Sequence, residues 1–172
     1  MTTTVKLDST SADSPEDYRA TIRVEAQPDA LFDALTTLTG LAGWWTEVTG
    51  SGHADGELRF FFGSADPCIM HVDEAGPSSV VWTTTKCDFL TDWVGTRLAF
   101  TITPLDVDLS ELHFRHYGMT PELDCHDFCT NSWGHYMQSL RRYVETGQGE
   151  PFGSAEDLAW RTARNPAGSG GD

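Results

Sequence analysis

Hydrophobic and polar positions alternate with a period of two through much of the chain, then switch to a helical period near its end. From Tyr18 to Ala26, the residues Ala20, Ile22, Val24 and Ala26 alternate with Arg19, Thr21, Arg23 and Glu25, which predicts a half-buried strand. Pro28 opens a helical pattern with Leu31, Phe32 and Leu35 on one face. Gly40 and Gly43 bend the next segment into a short second helix or turn that ends in Trp44-Trp45, with one ring expected in the core and the other partly in solvent. A turn-rich segment, Gly50 to Gly56, precedes a strand from Glu57 to Gly63 with Leu58, Phe60 and Phe62 on one face. Cys68, Met70 and Val72 alternate with Ile69, His71 and Asp73. Beyond the Gly76-Pro77 turn, Val80, Trp82 and Thr84 alternate with Val81, Thr83 and Thr85. A long strand, Val94 to Thr103, carries Val94, Leu98, Phe100 and Ile102 on its apolar face, and a return strand, Leu109 to Tyr117, carries Leu112 and Phe114.

The stretch from Pro121 to Thr146 reads as one helix. Cys125, Cys129, Trp133, Tyr136, Leu140, Tyr143 and Val144 fall on one stripe, and Asp127, Asn131, Gln138, Arg142 and Glu145 fall opposite. Thr120 is placed to cap the start, Pro121 suits the first helical position, and Gly147 can adopt the left-handed conformation that ends a helix. A helix of that length needs a broad partner such as a curved sheet, and the upstream strands supply one. The predicted class is α+β: a curved antiparallel sheet wrapped around a long C-terminal helix.

Composition sets limits on partners. With 11 Lys and Arg against 26 Asp and Glu, the formal charge of -15 disfavours nucleic acid and anionic membrane surfaces. No apolar run approaches a membrane span, and the N-terminus lacks a basic-then-apolar leader, so the expected location is cytoplasmic. In that compartment Cys68, Cys87, Cys125 and Cys129 are expected as thiols. One domain is expected over residues 17–152. Polar residues 1–16 and the segment 153–172, with a short helical pattern from Ala155 to Thr162, are expected as tails.

Several stretches resemble the START-like helix-grip (SRPBCC) superfamily, in the branch named for the activator of the heat-shock chaperone ATPase. They are the first strand with Pro28 and the Phe32 to Leu35 helix, Trp44-Trp45, Phe114-Arg115-His116-Tyr117-Gly118, and Trp133 with Ser139-Leu140, Tyr143, Gly147 and Gly149. The resemblance covers about Tyr18 to Phe152 and implies a helix-grip fold with a cavity between sheet and helix. It also implies a range of activities, because such folds serve as ligand carriers, cyclases, hydrolases and co-chaperones.

Candidate chemistry is sparse. His116 shares strand parity with Leu112 and Phe114 and should face the helix, where it is either a hydrogen-bonded core histidine or a weak catalytic candidate. Asp124 and Asp127 are carboxylates that only folding could bring to it. Cys125, His126 and Cys129 lack the further ligands of a structural zinc site, so no metal is expected. GSGHADG lacks the lysine and the context of a phosphate loop, so no nucleotide or other cofactor is expected. The expected cavity lining is Trp45, Phe60, Phe62, Met70, Trp82, Phe100, Phe114, His116, Cys129, Trp133 and Met137. The leading expectation is a monomer or homodimer that binds a small, largely apolar molecule. The alternatives are a cyclase or hydrolase acting on a polyketide-like or aromatic substrate, and a chaperone-binding module.

Overall fold

Strand β1 (Tyr18–Val24) leads into two short helices, α1 (Pro28–Thr36) and α2 (Leu38–Trp44), in the computed structural model, which describes residues 16–164. Strands β2 (Val48–Gly50), β3 (Glu57–Phe60), β4 (Cys68–Gly76), β5 (Ser79–Lys86), β6 (Arg97–Asp106) and β7 (Leu109–Tyr117) follow, then helices α3 (His126–Thr146) and α4 (Ala155–Arg164). The strands form one sheet of seven in the order β1-β7-β6-β5-β4-β3-β2. Every neighbouring pair is antiparallel. Because β1 pairs with β7, from Tyr18 opposite His116 to Val24 opposite Ser110, the two ends of the strand run lie side by side. The sheet presents one apolar face, and α3 packs over it beside β1, α1 and α2.

The period-two reading places Ile22, Val24, Leu58, Phe60, Met70, Val72, Val80, Trp82, Leu98, Phe100, Leu112 and Phe114 in the core, and all are buried. On α3 the stripe of Cys129, Trp133, Tyr136, Met137 and Leu140 is buried as well. Gly147 ends α3 with φ of 87°, and its N–H bonds the Tyr143 carbonyl. The Tyr143 ring packs closely on Gly43, where a Cβ would meet it at 2.3 Å, so a side chain at position 43 would displace the ring from the contact between α2 and α3.

Four local expectations are corrected. Helix α3 starts at His126, not Pro121, because the Thr120 hydroxyl donates to the Glu122 carboxylate instead of capping a backbone N–H. Residues 121–125 form turns, with Leu123 N–H bonded to Thr120 O and His126 N–H to Leu123 O. Trp44 and Trp45 are both buried; Trp44 Nε1 donates to the Ala34 carbonyl at 2.8 Å, which satisfies its polar edge inside the core. Val94 lies outside β6 and is 48% exposed, because a short 3-10 turn, Thr91–Trp93, and Gly95 at φ of 90° redirect the chain just before the strand. Strand β3 stops at Phe60, and β2, absent from the sequence reading, pairs Val48 with Phe60 and Gly50 with Leu58.

The tail expected over residues 1–16 lies outside the described residues except for residue 16. The Gly-rich end from Asn165 onward also lies outside them. The helical pattern after Phe152 is helix α4, which docks through a fully buried Asp157. Among the described residues, no helix is long and apolar enough to cross a membrane.

Candidate functional site

Most of the aromatic residues expected to line a cavity pack against one another instead. Ring centroids run from Trp45 to Phe60 at 4.5 Å, to Trp82 at 5.6 Å, to Phe100 at 4.9 Å, to Phe114 at 4.9 Å, to Trp133 at 4.5 Å, and back to Trp45 at 5.1 Å. These side chains come from α2, β3, β5, β6, β7 and α3 or their ends, so the closed circuit ties the sheet to both helices. Phe60, Met70, Trp82, Phe100, Phe114 and Met137 are buried in this solid core, and none of them lines the cavity.

The cavity lies at one end of the circuit, under the first half of α3, and measures about 250 Å³. Of the residues named from sequence, Trp45, Phe62, Cys129 and Trp133 line it. The rest of the wall comes from three places: the segment after β5, with Cys87, Phe89, Leu90 and Trp93; Cys68 and Phe152; and Phe128, Ser132, Tyr136 and Arg161 on α3 and α4. Trp93 is the main residue missed. It stacks on Trp133 at 5.8 Å, and its Nε1 donates to Cys129 Sγ at 3.2 Å. The signal available for it was a cluster of apolar residues, Phe89, Leu90, Trp93 and Val94, in a linker that breaks at Gly95.

His116 is fully buried on β7, as its parity predicts. Trp133 Nε1 donates to its Nδ1 at 3.0 Å, so Nδ1 is the acceptor and Nε2 carries the proton, directed to Thr96 Oγ1 at 2.9 Å. The Thr96 hydroxyl in turn donates to the Trp93 carbonyl at 2.6 Å. Burial lowers the His116 pKa to about 3, which keeps the ring neutral. Its two nitrogens are engaged by Trp133 and Thr96, it does not line the cavity, and neither Asp124 nor Asp127 hydrogen-bonds it. This is a relay that orients Trp133 and Trp93 at the cavity wall.

The four cysteines are free thiols. Cys68 and Cys87 stand one step beyond the Ile69 to Lys86 pair of the β4–β5 ladder, and both face the cavity. A hydrogen bond between them raises the Cys68 pKa and lowers that of Cys87. Cys129 is raised, by burial first and then by its bond with Cys125 one turn before it. Among the described residues, no group of three or more His, Cys, Asp or Glu side chains is placed to hold a metal ion.

One ionised cluster touches the cavity. Asp157 Oδ1 accepts from Tyr136 Oη at 2.8 Å and lies 3.0 Å from His135 Nε2, while Oδ2 accepts from Gly153 N–H at 2.9 Å and Arg161 Nε at 2.9 Å. Arg161 Nη2 closes the loop by donating to Tyr136 Oη at 2.8 Å. Burial works to raise the Asp157 pKa, but Arg161, the Gly153 amide and the Tyr136 hydroxyl outweigh it and hold the carboxyl below its ordinary range. Burial lowers the pKa of His135 despite the neighbouring carboxylates, so the imidazole stacked 4.1 Å from Trp160 is neutral near pH 7. The sequence pattern showed Tyr136 only as part of the apolar stripe and pointed to none of Asp157, His135 and Arg161, because the acid sits 21 and 22 positions from its two partners on α3.

No family model matches the chain, and no curated protein matches it. Solved structures do. The Aha1 dimer from Colwellia psychrerythraea aligns at 25% identity over 77% of this chain and 98% of its own, with a TM-score of 0.68. An HSP90 activator from Plasmodium falciparum aligns at 16% identity over 73% of this chain and 93% of its own, with a TM-score of 0.61. CalU16 from Micromonospora echinospora aligns at 15% identity over 88% of this chain and 84% of its own, also with a TM-score of 0.61. The curved antiparallel sheet gripping one long helix is shared with these proteins over most of their length, and the chain has the helix-grip fold of the Aha1-like proteins.

Proposed function

We propose that this protein binds a small, largely apolar molecule in the cavity between the sheet and α3. The observation that carries this reading is a space of about 250 Å³, open to solvent and walled largely by indole, phenyl and thiol groups, beside an interior filled by interlocked rings. The pocket opens to solvent beside Phe89 and Phe128, both exposed, so its apolar wall is surface that a bound molecule would remove from water. The volume falls just below the roughly 300 to 1,000 Å³ of pockets for drug-sized ligands, which fits a bicyclic aromatic or a short acyl chain. His116, the imidazole singled out from sequence, does not support a catalytic reading, since it is neutral, saturated and outside the lining. Native mass spectrometry of freshly purified protein should show an adduct of small mass, and an apolar fluorophore should bind at micromolar concentration. Leu90→Trp, which fills the cavity from a partly buried linker position, should weaken fluorophore binding by about tenfold while the protein stays folded. Unchanged binding in that variant would place the ligand elsewhere.

A further inference from the structure

At its α3–α4 end the cavity adjoins a cleft of about 260 Å³, and Phe128, Ser132 and Arg161 line both. Arg164 and Asn131 line the cleft alone. The polar groups gathered at this junction do not balance internally. Arg161 spends Nε on Asp157 and Nη2 on Tyr136, which leaves the protons of Nη1 for another acceptor. Its guanidinium is also held 4.8 Å over the Phe152 ring, so the group is fixed before any ligand arrives. Ser132 Oγ is buried and has no hydrogen-bond partner, although buried polar atoms are nearly always satisfied. Arg164 lies over the Trp160 ring at 5.6 Å and makes no ion pair among the described residues. Asp157 offsets one of the two positive charges, and the second is left over. In a chain with a formal charge of -15, two of only 11 basic residues converge on the rim of the one cavity described above.

We propose that the ligand is an amphipathic monoanion whose apolar body fills the cavity and whose carboxylate lies at the α3–α4 rim against Arg161 and Ser132, with Arg164 beside it. This rests on the cavity being the binding site, as proposed above. Two acceptor oxygens match the groups present: one takes a charge-assisted bond from Arg161 Nη1, and the other satisfies the Ser132 hydroxyl. The neutral His135 adds no competing charge, and the Asp157 carboxylate points its lone pairs at its own four donors and away from the ligand.

The test compares 2-naphthoate with its neutral isostere 2-naphthamide by titration calorimetry on the full chain, in the wild type and in Ser132→Ala, Arg164→Gln and Arg161→Lys. Ser132 and Arg164 carry no described contact that the fold needs, and Arg161→Lys keeps a cation for Asp157, so the three variants should fold. The expected result is a preference for naphthoate of about tenfold or more in the wild type. Arg164→Gln, at a residue that lines the cleft and not the cavity, should reduce that preference and leave naphthamide binding unchanged, whereas Ser132→Ala and Arg161→Lys, at the cavity wall, should weaken naphthoate binding by more than naphthamide binding. Equal binding of the two compounds by the wild type, or a preference that survives all three substitutions, overturns the anion assignment and leaves the apolar site standing. Failure of both compounds to bind overturns the cavity reading itself.

Discussion

The Trp133–His116–Thr96 relay makes pH a probe of the core. His116 has a folded pKa of about 3, set by burial, against roughly 6.5 for an unfolded histidine. The unfolded chain therefore takes up the proton first as pH falls. The stability that this residue contributes is complete above about pH 6.5 and is lost progressively toward pH 3. Chemical denaturation at pH 7 and pH 4.5 should show His116→Gln losing about 2 to 3 kcal/mol less than the wild type between the two conditions. Equal losses would mean that other groups set the acid response. Trp133→Ala should cost about 3 to 5 kcal/mol at pH 7, because it opens the aromatic circuit and leaves His116 Nδ1 without a donor. Strand parity alone was enough to turn His116 inward. The partner on its far side was not readable, because Trp133 and Thr96 lie 17 and 20 residues away on other elements.

Helix α4 shows where periodicity stops being informative. Its amphipathic pattern was visible, but its anchor is a single carboxylate, and a lone aspartate in a sequence ordinarily reads as surface. Asp157→Ala should lower stability by about 3 kcal/mol, since it strands the Tyr136 hydroxyl and the Gly153 amide while Arg161 can still turn toward water. Truncation after Phe152 should cost at least as much in urea unfolding; an unchanged midpoint would mean that α4 contributes nothing to the fold. Val94 shows the opposite limit. It continues the parity of Leu98, Phe100 and Ile102, and the 3-10 turn before it and the left-handed backbone of Gly95 after it remove it from the strand. The helix start at His126 was hidden for a similar reason, because Thr120 and Pro121 have the right chemistry for a cap but the threonine hydroxyl is taken by Glu122.

For the whole molecule, the sheet apart from β2, its facing helix and the sense of most core faces followed from pattern, because a period of two on one sheet and a stripe on one helix admit few arrangements. The cavity did not follow, since the same aromatic residues can line a space or fill it, and here Phe60, Trp82, Phe100 and Phe114 fill the core while Trp45 and Trp133 also border the cavity. The charge of -15 is a global property with its own test. Raising sodium chloride from about 0.05 to 0.5 M shortens the screening length several-fold, so the melting temperature should rise by several degrees as self-repulsion fades. A melting temperature that falls with salt would show that favourable ion pairs outweigh the excess charge. The aromatic circuit also has an optical consequence. Trp45, Trp82, Trp93 and Trp133 form a chain of indoles with centroids 5.1 to 6.2 Å apart, and Trp44 stacks on Trp45 at 5.6 Å. At such separations excitation passes between rings faster than it is emitted, so five of the six tryptophans act as one chromophore with an exciton signature in near-ultraviolet circular dichroism. A molecule seated against Trp45, Trp93 and Trp133 would then dim or shift the whole array at once.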